Sequence, residues 1–60
     1  MASLDEAEAE KLLAEAREFM KAHPDQKEEA VRRLRRIVAR YPETLGAYKA
    51  RDEIARLEGD

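Results

Sequence analysis

The chain predicts an all-α fold, a single domain over residues 1–60 built from three antiparallel helices at about 4–22, 26–40 and 45–58. Three observations predict it. A ring-bearing residue followed by proline and an acid occurs twice, at His23-Pro24-Asp25 and Tyr41-Pro42-Glu43. Proline removes a backbone donor and pushes the residue before it out of the α region, so each dipeptide ends one helix and the acid after it can open the next. Ala, Glu, Arg, Leu and Lys make up 39 of the 60 residues, above the roughly 50% that already signals helix. Only Val31, Ile37, Val38, Thr44 and Ile54 are β-branched, too scattered for a strand.

The first helix has Ser3 as its expected N-cap, with Glu6 completing a capping box and Asp5, Glu6, Glu8 and Glu10 complementing the positive helix end. Its apolar positions Leu12, Leu13, Ala16, Phe19 and Met20 fall within about 120° of arc, the stripe of a helix with one buried face. The second helix is expected to open with a box of Asp25 and Glu28, and Ala30, Val31, Leu34, Ile37, Val38 and Tyr41 occupy the matching arc. The two stripes superpose at an offset of 18 residues, down to His23 on Tyr41 and Pro24 on Pro42. A break separates them, so they read as two similar helices ending in the same turn.

Thr44 is the expected N-cap of the third helix and Gly59 its stop. Ala47, Ala50, Ile54 and Leu57 form a narrow seam flanked by Tyr48 and Ala55, and Gly46 in the first turn lowers intrinsic helicity by up to ~1 kcal/mol. Helix 3 is therefore expected to be the least stable element. Loops of two to four residues make consecutive helices antiparallel neighbours. The expected core is Leu12, Leu13, Ala16, Phe19, Leu34, Ile37, Val38 and Ile54.

A chain of this length buries only about 60% of its unfolded surface and, without cysteine, has no disulfide to add. The formal charge is −2, but residues 1–23 carry −3, residues 24–41 carry +3 and residues 42–60 carry −2. A basic helix between two acidic ones favours antiparallel packing of helix 2 on its neighbours, although each exposed ion pair contributes only ~0 to 1 kcal/mol. Apolar runs stop at two or three residues, far from the ~20 that cross a bilayer. Acids follow Met1-Ala2-Ser3-Leu4 at once, where a signal peptide needs a basic and then apolar run. The chain reads as soluble, with no membrane partner and no compartment specified.

From Ala30 onward, the run Ala30-x-x-x-Leu34-x-x-Ile37-Val38-x-x-Tyr41-Pro42-Glu43-x-Leu45-x-Ala47-x-x-Ala50-Arg51 resembles the junction between helix B and the next helix A of tetratricopeptide repeats. The resemblance covers residues 28–57 and implies about one and a half repeats, with a protein or peptide bound on the surface of the A helices. Aligning Pro42 with the family's terminal proline sets Ala14, Arg17, Glu18 and Lys21 at the signature positions of helix 1, and none matches. A compact three-helix bundle borrowing that junction fits equally.

Chemistry finds little support. Arg32, Arg33, Arg36 and Arg40 are expected on the face opposite the apolar stripe, the one feature suited to a polyanion. Favourable pairs of Glu28 with Arg32 and Glu29 with Arg33, acidic helices alongside and no aromatic stacking platform make a solvated face the better reading, so nucleic acid is disfavoured. His23 stands alone, without the Cys, Ser or second His that a metal or nucleophile site needs. Glu15 and Glu18 share one helix with no cleft between them, and Tyr41 and Tyr48 read as packing residues. No catalytic residue, metal or cofactor is expected. Strong helix formers, repeated capping signals and short loops all agree, as in a designed or engineered three-helix scaffold that requires no partner. The alternatives are a natural tetratricopeptide-like interaction module and, weaker, a nucleic-acid binder using helix 2.

Overall fold

The computed structural model describes residues 4–59. They form three α-helices, α1 at Leu4–Ala22, α2 at Lys27–Arg40 and α3 at Leu45–Leu57, and no strand occurs among the described residues. The expected boundaries hold to one residue. Consecutive helices are antiparallel, and four cross-contacts between α1 and α3 advance in the same sense: Glu6 meets Leu45, Ala9 meets Gly46, Glu10 meets Lys49 and Arg17 meets Glu53. The first and third helices therefore run parallel, side by side, with α2 antiparallel against both.

The two connections share one turn. The Gln26 N–H donates to the His23 carbonyl at 3.0 Å, and the Thr44 N–H donates to the Tyr41 carbonyl at 3.2 Å. Each is a four-residue turn with proline second, where its fixed φ is favoured. This geometry overturns the capping box at Asp25. Asp25 occupies the third position inside the turn, and the N-cap of α2 is Gln26, whose side chain makes no capping bond. Thr44 fills the equivalent place before α3 and does cap. Its Oγ1 accepts from the Ala47 N–H at 3.1 Å while donating to the Tyr41 carbonyl at 2.8 Å. Glu6 adds a bond from another helix, its carboxylate accepting from the Leu45 N–H at 3.2 Å. Ser3, the expected cap of α1, lies outside the described residues.

Gly59 ends α3 as expected. It adopts φ +91°, open to glycine and strained for other residues, and its N–H donates to the Arg56 carbonyl at 3.3 Å.

The core is finer-grained than the stripes suggest. Leu13, Ala16, Leu34 and Ile37 are buried as expected, whereas Leu12, Val38 and Ile54 are half-buried at its margins and Phe19 is half-buried outside it. Three helices this short enclose only a thin seam, so residues at the stripe edges face the grooves between helices. Small residues line the buried side of α3, where Ala47 and Ala50 are inaccessible to solvent and Gly46 is buried, and Ala9 of α1 is inaccessible too. A Cβ at Gly46 would come within 2.7 Å of the Ala9 Cβ and 3.0 Å of the Ala9 backbone carbon. Gly46 is therefore required by close approach of two helices, a role that its cost in helicity alone does not reveal.

The candidate functional site: the arginine helix and the groove beside it

Helix α2 carries five arginines at Arg32, Arg33, Arg35, Arg36 and Arg40, all exposed. Its apolar residues are spent on the core, so each intervening position points outward or to an edge. The structure does not gather the four expected arginines on one opposite face. Arg33 lies at the α1 edge, with its guanidinium carbon 4.3 Å from the centre of the Phe19 ring, a cation–π contact. The Phe19 ring also meets the His23 ring at 4.8 Å, tilted by 38°. His23 is exposed and thus borders the first turn as a packing neighbour.

Glu29 draws in two arginines, Arg32 at 3.3 Å and Arg33 at 3.4 Å. Arg32 thus pairs one turn back with Glu29 in place of the expected Glu28. At the opposite edge Arg35 pairs with Glu58 at 2.6 Å, a contact outside the expected set because it joins residues far apart in sequence. Arg40 lies 6.0 Å from the Tyr41 ring.

The cross-helix ion pairs do not follow the simple alternation of helix charges. Two of them join the acidic helices α1 and α3: Arg17 with Glu53 at 2.5 Å and Lys49 with Glu10 at 3.5 Å. Asp52 and Arg56 pair along α3 itself at 2.7 Å. The surface shared by α1 and α3, where the repeat resemblance places a ligand, is thus bridged by paired charges. Net helix charge is too coarse to foresee this, because single bases at Arg17 and Lys49 sit in register with acids across the contact.

One groove differs. Between α1 and α2, Leu12 and Ala16 form the floor, Glu15 forms one wall, and Arg33 and Arg36 form the other. Arg33 is engaged with Phe19 and Glu29, whereas Glu15 and Arg36 enter no ion pair or hydrogen bond within the described residues. The sequence signal for this groove is the placement of Leu12 and Glu15 at the edge of the α1 stripe. Glu15 draws notice in the sequence only as one of two carboxylates on a helix.

Among the described residues no group of three or more His, Cys, Asp or Glu side chains is placed to hold a metal ion. No described helix is long and apolar enough to cross a membrane. Every buried side-chain nitrogen and oxygen among these residues has a hydrogen-bond partner. Compared with protein-family models, curated proteins and solved structures, the chain matches none.

Proposed function

We propose that this chain is a self-contained, non-catalytic three-helix scaffold of designed or engineered origin, in which a repeat-like helical hairpin is closed by a third helix. The observation that carries the reading is the division of α3 between its faces. The inner seam of Gly46, Ala47 and Ala50 is consumed in the core, while Lys49, Arg51, Asp52 and Arg56 are exposed. That is the division a terminal capping helix needs, with a polar outer surface that stops further stacking. A heating experiment at about 10 μM chain, followed by circular dichroism, tests it. A self-contained scaffold unfolds in one cooperative transition whose midpoint does not change over a tenfold dilution. A broad, non-cooperative melt would sink the proposal.

A tetratricopeptide-like interaction module is the second reading. Leu4, Leu45 and Tyr48 are exposed at 85%, 61% and 57%, all in the first turns of α1 and α3. Such exposure is what an interaction module would retain on its A-type helices, and a bound protein or peptide covering them would protect their backbone amides from exchange.

A further inference from the structure

We propose that the groove between α1 and α2 is a self-association surface, and that its occupant is a second copy of this chain docked about a two-fold axis running along the groove. The argument begins with three facts about one small area. Its floor is apolar, formed by buried Ala16 and half-buried Leu12, with half-buried Phe19 one further turn along the same stripe. Its two walls carry opposite charge, Glu15 from α1 and Arg36 from α2. Neither charge is engaged among the described residues, although both line the same groove and the other exposed arginines of α2 have acidic or aromatic partners.

A groove with an acid on one side and a base on the other is complementary to itself. Rotation by 180° about the groove axis lays α1 of one copy over α2 of the other and keeps each residue level along the groove. Glu15 then faces the second copy's Arg36, and Arg36 faces the second copy's Glu15, which is the reciprocal pairing that a two-fold interface requires. The same rotation sets the two apolar floors against each other and removes Leu12 from water. Neighbouring charges continue the pattern. Glu8 lies two turns before Glu15 on α1, with Lys11 between them, and Arg40 lies one turn beyond Arg36 on antiparallel α2, so a second acid and a second base lie to the same side of the central pair.

The surface is small and its charges are partly hydrated, so it supports a weak and salt-sensitive dimer. The experiment is sedimentation equilibrium of the full chain at low salt, up to about 1 mM, with circular dichroism to confirm that each variant remains folded. The parent chain is expected to form a reversible dimer that dissociates as salt is raised. Glu15→Arg sets like charges against each other at both reciprocal contacts, and so does Arg36→Glu; each variant alone is expected to be monomeric. An equimolar mixture of the two restores attraction at both contacts and is expected to regain the dimer. A parent chain that stays monomeric at 1 mM would overturn the proposal, as would a dimer indifferent to either reversal or a mixture that fails to associate. Both substitutions are at exposed positions, so unfolding is not expected to obscure the result.

Discussion

At the residue scale, two positions decide more than their chemistry suggests. Gly46 is the first. Replacing it with Ala improves intrinsic helicity by up to ~1 kcal/mol, but the new methyl lands 2.7 Å from the Ala9 Cβ and 3.0 Å from its backbone carbon, which cannot rotate away. Overpacking costs typically about 1 to 3 kcal/mol, so the clash wins. Gly46→Ala should lower the urea midpoint, and Ala9→Gly in the same chain should recover part of the loss. Gln26 is the second. It holds the place before α2 that Thr44 holds before α3, yet caps nothing. Gln26→Thr should raise the melting midpoint by an amount corresponding to as much as ~1 kcal/mol. The gain will be reduced if ψ at residue 26 stays at 57°, far from the 159° of Thr44. Asp25→Ala should leave the midpoint nearly unchanged. An equal loss at Asp25 and at Thr44 would show that the turn geometry is misassigned. Phe19, half-buried under Arg33, should lose less on truncation to Ala than buried Leu34, for which about 2 to 5 kcal/mol is expected.

At the element scale, all three helices and both turns are legible in the residues, because proline geometry and apolar periodicity are local. The cap of α2 is not, although the repeat of His23-Pro24 on Tyr41-Pro42 points to it: moving back 18 positions from Thr44 arrives at Gln26. The turn hydrogen bond, and not the nearest acid, fixes where a helix starts. Packing between helices is less legible again. Ala9, between Glu8 and Glu10 in the second turn of α1, looks like any surface alanine, and only the approach of α3 makes it core. The arginines of α2 illustrate the same limit, since helical spacing orders them around α2 but does not say which edge meets Phe19 or Glu58. Converting Arg32, Arg36 and Arg40 together to Gln should change stability by no more than about 0.5 kcal/mol apiece. In a titration with DNA or RNA near physiological salt, the parent chain is expected to show no binding; micromolar association that weakens in the triple variant would promote α2 to a nucleic-acid surface.

At the scale of the whole molecule, α3 completes a core that α1 and α2 only half enclose. Leu13, Leu34 and Ile37 are buried together with Ala50 of α3 in one cluster. A fragment of residues 1–42 would return part of that surface to water and should lose cooperative unfolding, seen as a flat circular dichroism melt; a sharp transition in the fragment would show that the hairpin stands alone. The Ala9–Gly46 contact bears on time as well as on stability. Its partners are 37 positions apart in sequence, while the two hairpins close through short turns. Closing the longer loop costs more entropy before any contact compensates it, so α1–α3 docking is expected late along the folding route, after the rate-limiting barrier. A contact made after the rate-limiting barrier leaves folding speed almost untouched and sets how quickly the native chain opens. The missing methyl of Gly46 thus acts as a latch on the rate of unfolding: in stopped-flow chevrons Gly46→Ala is expected to raise the unfolding limb at unchanged slope and leave the refolding limb where it was.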